Sequence, residues 1–165
     1  RALVAAMHYP PNGTRGVGTA LARAARWNQV EDYFADADQQ MCLLVQVESV
    51  AGLEALDAIL EVEGIDGVFI GPADLAGSMG YLGRPGHPDV IAAVETALHK
   101  IRAAGKAAGT LATDMTLARR YEAAGAQFVA LGVDTVVLAN QAKKILADHK
   151  SGTETGTEPQ GNGAY

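Results

Sequence analysis

The chain has 165 residues, of which 48% are hydrophobic and only 5% aromatic, and its formal net charge is -6. This length suits one domain of ordinary size, and the apolar content is enough for a buried core. The acidic balance and the absence of clustered Lys and Arg argue against a nucleic-acid partner, and no run of about 18 apolar residues predicts a membrane span.

The first forty residues predict short helices separated by loops. Residues 2–8 resemble the end of a helix, which Pro10 and Pro11 terminate. A glycine-rich loop follows at 12–18. Short helices are then predicted at 19–27 and at 32–40.

From residue 41 onward, strands and helices alternate. The predicted elements are strands at 41–47, 66–70, 106–111 and 127–131, and helices at 50–61, 88–104, 114–124 and 135–148. Such alternation is typical of an α/β fold whose parallel strands are joined by right-handed crossovers.

Two architectures fit this α/β pattern: a doubly wound sheet, or part of a (β/α)8 barrel. The dinucleotide-binding fingerprint is absent, because Gly13, Gly16 and Gly18 have the wrong spacing and do not follow a strand. Four strand–helix units are half of the eight that a closed barrel needs. A half-barrel alone would leave two edge strands unpaired, which is unfavourable.

The composition changes at the C-terminus. Residues 151–165 contain one aliphatic and one aromatic residue, too few to bury a core. We therefore predict a folded domain at 1–150 and a disordered tail at 151–165.

The single cysteine, Cys42, cannot form an intrachain disulfide. It lies in the apolar run 41–45, so we predict a buried, inert thiol. A reduced thiol suits a cytoplasmic protein.

Two polar residues lie at the C-terminal end of the first predicted strand. Side chains alternate along a strand, so Leu44, Gln46 and Glu48 share one face, which points inward in a barrel. The carboxyl ends of barrel strands are where barrel enzymes keep their active sites. Gln46 and Glu48 are therefore candidate active-site residues.

The next strand is followed by a second carboxylate, Asp74. Adjacent strands lie about 4.8 Å apart, so Glu48 and Asp74 could share a hard cation such as Mg²⁺ or Mn²⁺. If a short helix begins there, the amides of Ala73 and Asp74 could hold a substrate carboxylate. The alternative is structural: Glu48 as a charge before a helix and Asp74 as a helix N-cap. None of the four histidines lies at a predicted strand end, so the sequence predicts no general base.

Four segments together carry a resemblance to a known family. They are Tyr9–Gly18 in the glycine-rich loop, Ala20–Asn28 after it, Leu44–Glu48 in the first strand, and Asp66–Leu75, which contains Gly-Pro-Ala-Asp-Leu. This pattern resembles the 4-hydroxy-2-oxoheptanedioate aldolases of the class II pyruvate aldolase and citrate lyase superfamily. The resemblance covers nearly the whole chain except the tail.

The resemblance implies a (β/α)8 barrel, assembled as a hexamer, of which this chain forms the C-terminal half with the last four strand–helix units. It implies a divalent metal (Mg²⁺, Mn²⁺ or Co²⁺) bound by Glu48 and Asp74, with Gln46 as a catalytic polar residue beside it. The backbone at Ala73 then grips the pyruvate carboxylate, and Leu111 lies beside the aldehyde.

The implied reaction is cleavage of 4-hydroxy-2-oxoheptanedioate to pyruvate and succinic semialdehyde, and its reverse, in the breakdown of aromatic compounds. The stretch from Arg23 to Trp27 favours this branch by similarity. The alternatives are an aldolase for 2-keto-3-deoxy sugar acids, a lyase acting on a CoA thioester, and a truncated half-barrel without catalysis. The family's His–Asp pair and substrate-binding Arg lie upstream of the point where this chain begins. We therefore expect the chain alone to be inactive.

Overall fold

A computed structural model describes residues 1–154, and the side chains of residues 1–151. Its strands are β1 (Leu44–Val47), β2 (Gly67–Ile70), β3 (Ala107–Leu111) and β4 (Phe128–Ala130). Its helices are α1 (Ala2–Met7), α2 (Tyr33–Asp36), α3 (Val50–Glu54), α4 (Leu56–Leu60), α5 (Pro72–Ser78), α6 (Pro88–Ala103), α7 (Met115–Ala123) and α8 (Asp134–Glu154). The chain forms two compact units, one ending at Ala130 and one beginning at Leu131.

The four strands are all parallel, and their order in the sheet is their order in the chain. A doubly wound sheet reverses its strand order and carries helices on both faces. Here the buried strand residues, which alternate onto one face, pack with residues of α4, α5, α6 and α7 in a single core. The doubly wound alternative is therefore wrong, and a parallel α/β sheet in sequential order is what a segment of a barrel has.

The core lies between this face of the sheet and the helices. On α6, the residues at helical spacing are fully buried, as their periodicity predicted: Val90, Val94, Leu98 and Ile101. They pack with Val68 and Ile70 of β2 and with Ala108 of β3.

The opposite face of the sheet is open. Leu44 is 39% exposed and Phe128 is 55% exposed. The rings of Phe69 and Phe128 contact each other with centroids 5.8 Å apart. Gly109 lies between them, where a Cβ would stand only 3.0 Å from Phe69 Cδ2. This is the face that points inward in a barrel, and it carries Gln46 at one edge.

The N-terminal segment differs from prediction at one place. Residues 19–27 do not form the expected helix; only Arg23–Ala25 make a 3₁₀ turn. The next three residues, Arg26, Trp27 and Asn28, all have positive φ of 46°, 56° and 64°. Left-handed residues cannot continue a right-handed helix, so the helix ends there.

Cys42 is exposed, not buried as predicted. The reason is that β1 begins at Leu44 and not at residue 41, so Cys42 precedes the sheet. The predicted helix over 50–61 is also interrupted, at Ala55, into α3 and α4.

The second unit contains α8, which is longer than the predicted 135–148. It runs to Glu154, so residues 151–154 of the predicted tail are helical. Residues 155–165 of that tail lie outside the described residues. Within α8, Lys144 and Asp148 form an ion pair of 2.6 Å one turn apart. Among the described residues, no helix combines the length and the apolar character that crossing a bilayer requires.

Candidate active site

Gln46 and Glu48 lie at the C-terminal end of β1, on its open side. Gln46 is exposed and Glu48 half-buried. The Gln46 side-chain amide donates a hydrogen bond to the Glu48 carboxylate, with Nε2 and Oε2 2.5 Å apart. This bond holds one carboxylate oxygen at the strand end, and the other oxygen makes no hydrogen bond to a side chain within the described part of the chain.

Gly71 is the residue opposite Glu48. The β1–β2 register pairs Val47 with Ile70, so Glu48 and Gly71 are the next positions along. The Gly71 amide donates to the Val47 carbonyl at 3.0 Å, which extends the ladder to the residue before α5. The loop after β2 is thereby held directly beside the Glu48 carboxylate.

Asp74 lies in the first turn of α5 and is exposed. The N-cap of α5 is Gly71, and Pro72 occupies the first helical turn. Asp74 is therefore not an N-cap, and the structural interpretation of this residue loses its main support. The charge remains favourable at a helix start.

The capping role beside Glu48 is likewise taken by another residue. The Ser49 hydroxyl accepts a hydrogen bond from the Gly52 amide at 3.1 Å and caps α3. The cap of α3 is thus Ser49 and not Glu48, while the charge of Glu48 before this helix is still a favourable one.

Glu48 and Asp74 lie at the same, C-terminal, end of two adjacent parallel strands. Across the described residues, no three His, Cys, Asp or Glu side chains form a cluster that could hold a metal ion. Two carboxylates are nevertheless a donor set that suits Mg²⁺ or Mn²⁺, since Mg²⁺ is usually held through one or two carboxylates and keeps several waters. The residues present fit such a cation.

Ala73 and Leu111 line a common pocket of about 230 Å³ at this end of the sheet. Pro85 and Leu117 add further apolar surface, and Asp114 contributes a carboxylate. One oxygen of Asp114 is already engaged, because it accepts from the Leu117 amide at 2.8 Å as the cap of α7. None of the described residues that line the pocket is Lys or Arg.

A contact of Ser78 between α5 and α3 was not predicted from the sequence. Its hydroxyl accepts a hydrogen bond from the Val50 amide at 3.0 Å, tying the end of α5 to the start of α3. The two residues are 28 positions apart, so nothing in the local sequence indicates the contact. The spacing role of Gly71 was also missed, although the Gly-Pro pair after a strand was a signal for it.

Within the described residues, no histidine belongs to a strand or directly follows one in the chain. His8 pairs with Asp38 at 3.2 Å in the N-terminal segment. His87 stacks on Tyr81 with centroids 3.8 Å apart and accepts from the Asp89 amide at the start of α6. Both imidazoles have structural partners.

Comparison with known proteins gives consistent matches. Residues 1–141 match the profile of the HpcH/HpaI aldolase/citrate lyase family. A hydroxypyruvate/pyruvate aldolase of Pseudomonas aeruginosa is 61% identical over 150 residues, which is 91% of this chain and 56% of the relative. A 2-keto-3-deoxy-L-rhamnonate aldolase of Klebsiella pneumoniae is 54% identical over 165 residues, covering 100% of this chain and 61% of the relative.

The fold matches a solved structure as well. An HpcH/HpaI aldolase/citrate lyase family protein from Burkholderia cenocepacia superposes with a TM-score of 0.80 and 36% identity, over 89% of this chain and 58% of that protein. The chain thus spans less than two thirds of the length of each of these three proteins. The names of the two aldolases refer to hydroxypyruvate, pyruvate and 2-keto-3-deoxy-L-rhamnonate, and not to the heptanedioate that the motifs suggested.

Proposed function

Because the chain belongs to the HpcH/HpaI aldolase/citrate lyase family, we propose that it supplies the metal-binding half of an aldolase that cleaves a 4-hydroxy-2-oxo acid. The products are pyruvate or hydroxypyruvate and an aldehyde. The observation that carries this proposal is the placement of Glu48 and Asp74 at one end of adjacent strands, with Gln46 bonded to Glu48. Membership of the family favours a lyase over a non-catalytic half-barrel.

Glu48 and Asp74 are the residues that would hold a divalent cation, Mg²⁺, Mn²⁺ or Co²⁺. Such a cation supplies Lewis-acid stabilisation of the negative charge that develops on the 2-oxo oxygen. Gln46 gives one N–H to Glu48 and retains a second N–H and its carbonyl oxygen. Those groups face the open side of the sheet, where they can orient a substrate.

The start of α5 is suited to the substrate carboxylate. The first-turn amides of Ala73 and Asp74 have no acceptor within the helix. Ala73 also lines the pocket, so a carboxylate at these amides lies next to the space that would receive the aldehyde.

The pocket favours a neutral aldehyde. Its described lining is apolar apart from Thr113 and the acidic Asp114 and holds no cation, so this chain offers no charged partner there for a second carboxylate such as that of succinic semialdehyde. This supports a 2-keto-3-deoxy sugar acid or a related hydroxypyruvate adduct as substrate. The 4-hydroxy-2-oxoheptanedioate remains the second candidate, supported by the Arg23–Trp27 stretch.

A chimera tests the function. Residues 1–150 replace the matched 150 residues of the Pseudomonas aeruginosa relative, and release of 2-oxo acid is followed with Mn²⁺ or with a chelator. We expect metal-dependent cleavage that is faster with 2-keto-3-deoxy-L-rhamnonate than with 4-hydroxy-2-oxoheptanedioate. A folded chimera without activity on either substrate, or with activity that survives complete removal of metal, would overturn the proposal.

A further inference from the structure

Gly71 is a glycine for reasons of space and not of conformation. Its φ of -95° and ψ of 96° are those of extended backbone, which any residue adopts. It is not among the glycines with positive φ. A side chain at this position would therefore cost nothing in backbone strain, and its exclusion must come from neighbouring atoms.

Those neighbouring atoms belong to the two residues already assigned to the site. A Cβ on Gly71 would stand 2.9 Å from Glu48 Oε2, 3.0 Å from Gln46 Nε2 and 3.0 Å from Glu48 Cβ. The ends of both side chains can rotate away. Glu48 Cβ cannot, because it is fixed to the backbone next to β1.

Gly71 itself cannot move aside. Its amide donates to the Val47 carbonyl at 3.0 Å, and its carbonyl accepts from the Leu75 amide at 3.1 Å to begin α5. An added methyl group would therefore displace the ends of the Gln46 and Glu48 side chains, since overpacked side chains leave their favoured positions before a sheet ladder opens. The contact with Glu48 Cβ needs a shift of only a few tenths of an ångström.

We propose that Gly71 is a positioning residue whose missing side chain provides the space in which the Gln46 amide and the Glu48 carboxylate meet. This inference rests on the proposed function and extends it. The position of the Glu48 carboxylate oxygen depends on the space at Gly71 as well as on the hydrogen bond from Gln46. An alanine at position 71 separates the Gln46 amide from the Glu48 carboxylate and moves the carboxylate from its present position at the end of β1. Loss of a partner that orients a metal ligand typically weakens metal binding by roughly 10–100-fold.

Gly77 provides the matched control, because it lies in the same short helix. A Cβ there would meet only Leu82 Cδ1, at an ordinary 3.4 Å. Gly77→Ala therefore tests the effect of an added methyl group on α5 without contact to the site.

The experiment uses the 165-residue chain and Mn²⁺ alone, with affinity measured by titration calorimetry and by the electron paramagnetic resonance of free Mn²⁺. We expect Gly71→Ala to weaken Mn²⁺ binding at least about tenfold while Gly77→Ala leaves it within about twofold. Equal affinity of Gly71→Ala and wild type would overturn the inference. Wild-type chain that does not bind Mn²⁺ would instead count against the proposed function.

A second readout needs no metal. The side-chain amide resonance of Gln46, assigned by its loss in Gln46→Ala, is compared before and after Glu48→Gln. In the wild-type background that change should move the resonance, because the charged acceptor of the bond becomes a neutral one. In the Gly71→Ala background, where the two side chains no longer meet, it should not. A full shift in both backgrounds would contradict the positioning role even if Mn²⁺ affinity fell.

If Gly71→Ala does not fold, the double variant Gly71→Ala/Gln46→Ala is compared with Gln46→Ala alone. The double variant removes one of the contacted atoms, so it should fold and still bind Mn²⁺ more weakly than Gln46→Ala. Unfolding of both variants that carry Gly71→Ala would show that this glycine is required for the stability of the sheet, and would overturn the inference.

Discussion

The Thr110 hydroxyl donates a hydrogen bond to the backbone carbonyl of Ile70 at 3.0 Å, which joins β3 to β2. The Thr110 side chain is fully buried. Ile70 is the last residue of β2, so this bond fixes the strand immediately before Gly71 and α5. Because the bond is buried, it contributes to the free energy of unfolding: a partner lost inside the core is not replaced by water.

Thr110→Val is therefore expected to lower the free energy of unfolding by about 1 kcal/mol, the usual net value of a buried hydrogen bond. Thr96→Val is the control, since the exposed Thr96 hydroxyl donates to the Ala92 carbonyl on the surface of α6. Its effect should stay within about 0.5 kcal/mol. Urea unfolding measures both; equal losses would show that burial of Thr110 is not the source of the effect.

Tyr121 presents the opposite case. It is fully buried, and its hydroxyl has no hydrogen-bond partner in the part of the chain that the structure describes. Tyr121→Phe removes this unsatisfied group and is expected to raise the free energy of unfolding by about 1 kcal/mol. Tyr33→Phe, which removes the acceptor of a 2.9 Å bond from Arg15, should lower it. A destabilised Tyr121→Phe would mean that the hydroxyl has a partner after all.

The same residue predicts a change with pH. Burial raises the pKa of Tyr121 from 10.0 to about 12. A raised pKa means that the folded state favours the neutral phenol. The stability that follows from this preference is complete below pH 10 and is lost as pH rises through about 12. Between those values, wild-type stability should fall more steeply than that of Tyr121→Phe.

The ion pair between α6 and α7 predicts sensitivity to acid. Arg120 contacts Glu95 through two hydrogen bonds, one of them from Nη2 to Oε2 at 2.8 Å. The bond from Arg120 holds the pKa of the Glu95 carboxyl below its ordinary value of 4.5. The ion pair therefore stabilises the folded state above pH 4.5. This stabilisation is lost as pH falls below 4.5 through the lower pKa that Glu95 has in the folded state.

Arg120→Gln should accordingly lower the urea midpoint by more near pH 7 than near pH 3. The neighbouring Arg119, which is exposed, gives the control Arg119→Gln, for which no such pH difference is expected. High salt should reduce the effect of Arg120→Gln, because exposed charges are screened. An effect that is equal at both pH values would contradict the assignment.

The sequence predicted the elements that depend on a repeating pattern. The four strands and the long helix α6 follow from alternation and from the spacing of Val90 and Val94, and the structure confirms them. The placement of Gln46 on the open face also followed from alternation alone. The metal-binding and substrate-binding roles of the site residues stay predictions.

The features that were missed depend on contacts between distant residues. The bond between Val50 and Ser78 spans 28 positions, and the space at Gly71 is defined by side chains of another strand. The left-handed residues 26–28 carry no Gly, so composition predicted a helix where the backbone turns. Cys42 shows the same limit, since an apolar run predicts burial without saying where the strand begins.

The chain alone should catalyse no aldol cleavage at a useful rate. Proton transfer at the carbon next to the 2-oxo group needs a positioned acid or base. Within the described residues, His8 and His87 are engaged elsewhere and no other histidine lies at a strand end. The check is release of pyruvate by residues 1–150 with Mn²⁺, compared with the chimera; similar turnover would show that the proton-transfer group is already present.

The proposed metal site is tested most directly by the Mn²⁺ affinity and the activity of the chimera after Glu48→Gln and after Asp74→Asn, each of which removes one proposed anionic ligand while keeping the size of the side chain. Glu54→Gln is the matched control, because Glu54 is exposed at the end of α3. We predict that both site variants lose Mn²⁺ affinity and activity by more than roughly 100-fold, beyond the loss typical of an orienting partner, while the control loses neither. A folded Glu48→Gln or Asp74→Asn variant with unchanged metal content and wild-type turnover would contradict the metal site.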